Sequence, residues 1–383
     1  MSDSPLTITA VETWACSLPL PHPLSFRTFV VRSREYAVLR IRTARGLVAD
    51  TVALSRRSPI DVAIADVLAP ALVGRDAGEV EERMVELAGA TRALDEHGVI
   101  GRACSLVESC LWDLRAQAAG QPLWQALGGA PRELPVLLVE GYPLPGESHR
   151  AFAERLAARV GEGYTALKLE AASYEDAAEL TERLRLLREL AGDRVQLVVD
   201  MAWSWQTLAE ALAAARQWAP YALTWIEDPF ARSRAADVAA LRAQCGSPIA
   251  AGDEATRPGE LTDLLAWDAV DVLRLDATAI GGLSATAALA RAAATAGVRA
   301  SAHVHPELHH HCALASPAFE HVEAFPLDRP FDCAHELLQR AFMDDVRDGR
   351  AQPPQAPGSG MRLNLDAVRR TAYRHAIEHQ EES

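Results

Sequence analysis

Residues 6–18 (LTITAVETWACSL) and 36–43 (YAVLRIRT) alternate loosely between apolar and polar positions, the period of two that lays one face of a strand on a core. Ala44-Arg45-Gly46 carries turn chemistry into a partner run, LVADTVAL. Between the first two runs the Pro-rich segment PLPHPLSFRTF is expected to form an irregular loop. Spacing becomes helical over residues 60–94 and again over 101–119 (GRACSLVESCLWDLRAQAA), where Gly120 and Pro122 are stop signals. Gly128-Gly129 closes this mixed α+β region.

From about residue 134 the texture changes. Short runs rich in β-formers alternate with Ala/Leu/Arg-rich helical stretches such as 147–161, 174–190, 206–218, 232–244 and 283–296. The runs are PVLLVEG (135–141), ALKLE (166–170), VQLVVD (195–200), LTWIEDP (223–229), PIAAGDE (248–254), VDVLRLD (270–276), RASAH (299–303) and HVEAF (321–325). Near-continuous apolar runs suit strands buried on both faces, and strand–helix alternation makes a parallel sheet. Eight such units predict an α/β fold of the (β/α)8 TIM-barrel type. An open doubly wound sheet is the alternative, but LLVEGYPLPGES is not the Gly-rich phosphate loop it would want after its first strand. The tail, with QPPQAPGSG and then a short polar stretch, is read as lying back over the N-terminal region.

Composition narrows the function classes. The 38 Lys+Arg against 52 Asp+Glu give a formal net charge of −14, a poor match to nucleic acid or an anionic membrane surface. No apolar stretch is long enough to span a bilayer. The first 21 residues, MSDSPLTITAVETWACSLPLP, lack the basic and apolar regions of a secretory signal. The six cysteines are scattered without a CxxC pair, so a cytoplasmic protein with buried thiols is expected.

The informative polar residues sit at the ends of the predicted strands: Lys168 and Glu170, Asp200, Glu227, Asp253, Asp276, His303 and Glu323. From Lys168 to Glu323 is 155 residues in six steps, about one βα unit each. A single Asp after a strand is most often a helix cap. A whole series converging on one barrel mouth would repel itself unless a cation sat among the carboxylates. Asp200, Glu227 and Asp253 offer hard oxygen ligands without His or Cys, which favours Mg2+ over zinc.

In this order and spacing the strings ESCLWDLRAQAAGQPLWQALGG, ALKLE, VVDMAW, WIEDP, PIAAGDE, VLRLDATAIGG, SAHVHPELHHH and HVEAF resemble the mandelate racemase/muconate lactonizing enzyme branch of the enolase superfamily. The resemblance implies an α+β capping domain (1–130 with the tail from about 345 to 383) over a barrel domain (131–344). It implies Mg2+ on Asp200, Glu227 and Asp253, an Asp276–His303 dyad, and Glu323 facing a substrate carboxylate. It also implies a symmetric homo-oligomer. In such a site Mg2+ stabilises the enediolate formed when a proton α to a carboxylate is removed. His303, made more basic by Asp276, takes that proton. Lys168 adds positive charge beside the carboxylate, and Glu323, if protonated by its acidic surroundings, donates a hydrogen bond to it.

Two departures from the family pattern matter. Glu170 stands where the branch usually has a second lysine, the base on the other face. It shares the inward face with Lys168, and is read first as an ion pair with Lys168 or an arginine, then as a carboxylate acid or base. Ala202 stands where the branch has Asn, followed by Trp203 and Trp205, which wall the pocket or simply pack. Without the second lysine, dehydration of a hydroxy acid or sugar acid is favoured over racemisation or epimerisation. A non-catalytic barrel binding an acidic metabolite is the alternative from another class. Substrate contacts are expected from His22, Phe26 and Arg27 of the PHPLSFRTF segment, with Arg56 or Arg57 as clamps for a second carboxylate or for hydroxyls. The cluster His303, His305, His309, His310 and His311 invites a transition-metal reading, but helical spacing after Pro306 would point its members apart.

Overall fold

The computed structural model describes residues 4–26, 29–94, 97–173, 177–329 and 331–380. Three antiparallel strands begin the chain: β1 (Ile8–Ser25), β2 (Val30–Thr43) and β3 (Val48–Leu54). The Pro-rich segment expected to be a loop instead prolongs β1 as far as Ser25. Leu24 and Ser25 pair with Val31 and Val30 across a register shift that absorbs the prolines. Proline lacks only the N–H, so a run with its donors facing away from the partner remains extended.

Helices at residues 60–72 and Val80–Thr91 and the long helix Val99–Ala118 cover one face of this sheet. The contact is a separate apolar core that includes Ile8, Leu39, Ile41, Leu106, Val107 and Leu111.

Eight parallel strands follow: β4 (Leu134–Gly141), β5 (Ala166–Glu170), β6 (Gln196–Asp200), β7 (Trp225–Glu227), β8 (Ile249–Ala251), β9 (Val272–Leu275), β10 (Arg299–Ala302) and β11 (Val322–Ala324). Each pairs with the next in register from β4 to β10. β11 pairs with β4, and Ala300 bridges Phe319 just ahead of β11, so the sheet closes into a barrel. Every run named from the sequence coincides with one of these strands, β4 beginning one residue ahead of its run. Two further outer helices are Pro258–Ala266, unnamed there, and Pro306–Ala315, which matches the helical spacing read after Pro306. Both begin with proline at the first helical position, where its missing N–H costs nothing.

The tail divides. A hairpin of β12 (Val346–Arg347) and β13 (Arg350–Ala351) pairs with β4 of the barrel, although its residues had been assigned to the cap. β14 (Ala372–His379) adds to the cap sheet beside β1.

The string ESCLWDLRAQ explains how cap and barrel are joined. Glu108 on the long cap helix accepts the backbone N–H groups of Leu283 (2.7 Å) and Ser284 (3.1 Å), capping the barrel helix Gly282–Thr295. An anion at a helix N-terminus meets unpaired donors and the positive end of the dipole. Gly282 has φ +85°, and a Cβ there would lie 2.1 Å from the Glu108 carboxylate, so only glycine fits. Asp113, further along the same helix, holds the tail through the N–H of Ser359 at 2.7 Å.

Among the described residues no helix is long and apolar enough to cross a membrane.

Candidate active site

Period-two alternation decides what faces the barrel interior. Leu137, Ala166, Val198, Trp225, Ala250 and Val272 form an apolar layer in its floor. One step of two residues further along the strands come Lys168, Asp200, Glu227 and Arg274, and a further step brings Glu170 and Asp276. Strand register sets Glu170, Asp200 and Glu227 level with one another.

The chain leaves these strands abruptly. Ala202, Trp203, Asp228, Glu254, Val304 and His305 all have φ between +39° and +59°, a region costly for residues with a Cβ, and all follow strand ends at the mouth. Buried Asp228 holds one such turn by accepting N–H groups of Gly252 (2.9 Å) and Asp253 (3.3 Å). Gly252 itself has φ +132°, and a Cβ there would sit 2.4 Å from the carbonyl oxygen of Arg274.

Oxygens of Asp200, Glu227 and Asp253 lie within 4.8 Å of one another, and all three residues are buried. Two cations are buried with them. The Lys168 ammonium pairs with Asp200 (3.0 Å), Glu323 (3.1 Å) and, very closely, Glu227. Arg274, wholly buried, donates to Asp253 (2.7 Å) and Glu323 (2.8 Å) and stands 3.2 Å from Glu227. Four formal negative charges against two positive leave two uncompensated, and buried charge demands compensation. That balance and the oxygen-only donor set fit a divalent hard cation.

His303 is held by Asp276, whose Oδ2 lies 3.2 Å from Nδ1; its Nε2 lies 3.9 Å from Asp253. Burial lowers the imidazole pKa, but the charge of Asp253 and then the hydrogen bond and charge of Asp276 outweigh it and raise the value to about 9. Asp276 is in turn fixed by the N–H and hydroxyl of Thr278 at 2.9 and 2.6 Å. Burial alone would raise its pKa; the bond to His303 and the surrounding histidines hold it well below the usual carboxylate range.

His309 ties the two strand ends together. Its Nδ1 lies 2.5 Å from the Val304 carbonyl, while its Nε2 accepts the Ala277 N–H at 2.9 Å. That arrangement requires a neutral ring with the proton on Nδ1. Two more histidines are braces as well: His305 accepts from the Leu54 N–H, and His311 accepts from the Trp124 N–H and donates to Ser359, whereas the Nε2 of His310 has no partner and its ring packs edge-on against Phe342. The His303–His311 cluster is not a metal centre in the described structure, whose one candidate group is the carboxylate trio.

Several expectations need correction. Glu323 does not become a neutral donor. Burial opposes its charge, yet Arg274, Lys168 and His303 together pull its pKa down to about 2, and it accepts the Val304 N–H at 3.2 Å. Glu170 makes no ion pair among the described residues, because Lys168 is already taken by the other carboxylates. Burial and the neighbouring Asp200 push its pKa well above the usual carboxylate range, and its Oε1 accepts the Ala172 N–H at 3.2 Å.

His22 is exposed on β1 and lines neither cavity at the mouth. Phe26 does line the inner cavity, against Tyr142; Arg27 lies outside the described residues. Trp203 walls both cavities with its indole N–H unpartnered, and Trp205 packs against Trp218. Arg56 pairs with Glu254, which Arg102 also holds at 2.9 Å, and Arg57 pairs with Glu35 at 3.2 Å.

Arg274, Glu254 and Arg34 were missed. Arg274 was legible, since it precedes Asp276 by two residues in VLRLD and must share its inward face. Glu254 and Arg34 carried no such signal, because their partners are distant in sequence.

The family model for the mandelate racemase/muconate lactonizing enzyme N-terminal domain matches residues 7–128, and that for the enolase C-terminal domain-like region matches 151–367. The chain belongs to the mandelate racemase/muconate lactonizing enzyme branch of the enolase superfamily. Its relatives in that branch include the L-talarate/galactarate dehydratase of Salmonella typhimurium, 28% identical over 306 residues (79% of this chain and 74% of that protein). The 3,6-anhydro-alpha-L-galactonate cycloisomerase of Streptomyces coelicolor is 27% identical over 79% of this chain and 80% of its own length. Among solved structures, L-talarate dehydratase from a Polaromonas species, complexed with Mg and L-glucarate, superposes with a TM-score of 0.84 at 27% identity (98% of this chain, 99% of that one). A mandelate racemase/muconate lactonizing enzyme from Polaromonas gives 0.86 at 28% identity, covering 99% of this chain and 100% of the other.

Proposed function

We infer that the protein is a Mg2+-dependent enzyme that removes the proton α to a carboxylate and then eliminates water from a sugar acid or related hydroxy acid. The observation that carries this reading is the juxtaposition of two elements. The Asp200–Glu227–Asp253 trio has net negative charge left over, and beside it stands an imidazole whose Nδ1 side is fixed by Asp276 and whose Nε2 lies on the Asp253 side. Mg2+ held by the trio supplies Lewis-acid stabilisation of the negative charge that develops on the substrate carboxylate.

The chain's own residues do the rest. Lys168 and Arg274 hold the carboxylates in place. His303 takes the α-proton at Nε2, leaving the electron pair in the enediolate, and Asp276 stabilises the imidazolium so formed. Collapse of the enediolate breaks the β carbon–oxygen bond. The imidazolium returns its proton to the departing hydroxyl as water, and the enol product ketonises to a 2-keto-3-deoxy acid. Dehydratases among the relatives support this outcome. So does Glu170, which occupies the position of a lysine that two-base racemisation needs. The unpaired thiols suit a reducing compartment, and we place the enzyme in the cytoplasm.

The test is a panel of sugar acids and hydroxy acids incubated with the Mg2+-loaded protein and assayed for 2-keto acid. A 2-keto-3-deoxy product from at least one acid is expected. Epimerised acid with no keto product would replace dehydration by racemisation.

A further inference from the structure

The mouth of the barrel opens from a small inner cavity of about 60 Å³, walled by the carboxylates and His303, into an outer chamber of about 890 Å³ between cap and barrel. Both are lined by Arg34, Arg56 and Trp203. These walls are rich in arginine, and their pairing separates them. Arg56 is satisfied by Glu254, and Arg57 by Glu35. Arg232 lies over the Trp203 ring at 5.5 Å and donates to the Asp253 carbonyl at 3.4 Å.

Arg34 is different. It is only 5% exposed, on β2 of the cap, and its Nε is spent on the carbonyl oxygen of Phe331 at 3.0 Å. Among the described residues no carboxylate pairs with it; Asp332 acts on it from further off and accepts the Tyr36 hydroxyl at 2.6 Å. The bond to Phe331 occupies Nε and leaves the two amino nitrogens as the remaining donors of a residue that lines both cavities. A buried cation without a counter-ion is costly, and its natural complement is a planar anion that accepts two parallel hydrogen bonds. Trp203, whose buried indole N–H has no partner, lines the same space.

We propose that Arg34 binds a second carboxylate at the far end of the substrate, so that the enzyme acts on short hydroxy dicarboxylic acids rather than on the corresponding monoacids. This assignment rests on the proton-abstraction reading above and adds a specificity-determining residue to it. One carboxylate lies at the trio, beside the α-carbon that faces His303, and the other closes the charge balance at Arg34. The distal clamp expected at Arg27, Arg56 or Arg57 therefore passes to a residue on β2. A site built to hydrogen-bond one group rejects an analogue lacking it by orders of magnitude, because the unpaired buried donor remains.

The experiment compares matched pairs, each aldarate beside the aldonate of the same configuration, with the Mg2+-loaded protein in D2O, following loss of the α-proton signal by NMR at concentrations below saturation. For the configuration that reacts, the diacid is expected to exchange at least about 100-fold faster than the monoacid. Arg34→Gln is expected to bring that ratio down towards one, and Arg34→Lys to restore part of it. Equal or faster exchange of the aldonate, exchange only of an ω-phosphorylated acid, or an undiminished ratio in a folded Arg34→Gln variant overturns the assignment and leaves proton abstraction standing. Exchange of no acid overturns both. Should Arg34→Gln fail to fold, the ratio measured on the unaltered protein decides by itself.

Discussion

At the scale of single residues, the site is organised by charge balance. Arg274 pairs with three carboxylates at once, and removing one partner of a buried network leaves the others less compensated. Arg274→Met is expected to destabilise the metal-free protein by about 3–5 kcal/mol. Mg2+ should raise its melting temperature more than that of the unaltered chain, because the ion takes over part of the lost compensation. Thermal unfolding with and without Mg2+ checks both statements.

His303 gives a pH dependence whose sign follows from its raised pKa. Its contribution to stability is complete below pH 6.5 and is lost as pH rises through about 9. At 1.36 kcal/mol per unit the whole effect is about 3 kcal/mol. A divalent ion on Asp253 cancels the largest of the charges that raise the pKa, so Mg2+ should move the imidazole titration towards neutral pH. NMR titration of the ring with and without Mg2+ measures this; an identical midpoint under saturating Mg2+ would place the ion elsewhere. The carboxylates and His303 were legible in the sequence because each ends a strand. The raised pKa of Glu170 and the lowered pKa of Glu323 were not, since they depend on which carboxylate captures Lys168 and Arg274.

At the scale of elements, strand ends and helix starts carry the precision. Glu108→Ala strips a buried carboxylate from the donors of Leu283 and Ser284, and should cost about 2–3 kcal/mol in a denaturant titration. A change under 0.5 kcal/mol would show that water replaces the cap. Gly252→Ala meets the Arg274 carbonyl and an unfavourable φ together, and should weaken Mg2+ binding as well as stability, since Asp253 is the next residue.

The barrel strands were readable because strands buried on both faces are bounded apolar runs. The prolonged β1 was not: three of the residues from Pro19 to Pro23 are prolines, and local chemistry there argues for a loop. Pairing with a strand that is adjacent in the sheet overrode it. The split of the tail was equally hidden, because β12 and β13 are two residues each and carry no period.

At the scale of the whole molecule, the cap closes a barrel mouth whose strained turns and buried charges the fold maintains against their local cost. The mouth is assembled from both parts. Arg34 and Arg56 come from the first 60 residues, whereas the carboxylates and the base are spread from Lys168 to Glu323. The barrel positions were recoverable from spacing alone. The cap's contribution was not, since β2 offers four arginines and nothing local distinguishes the buried one that lines both cavities.

The central claim, that His303 removes an α-proton while the carboxylate trio holds a divalent ion, meets its most direct test in one measurement. Deuterium incorporation at the α-carbon of a reactive hydroxy acid is followed in D2O with Mg2+, with chelator, and with His303→Asn in Mg2+. The account predicts incorporation in the first case, none with chelator, and a loss of at least about 1,000-fold in the variant. Incorporation that persists in His303→Asn, or that is indifferent to the chelator, would contradict it.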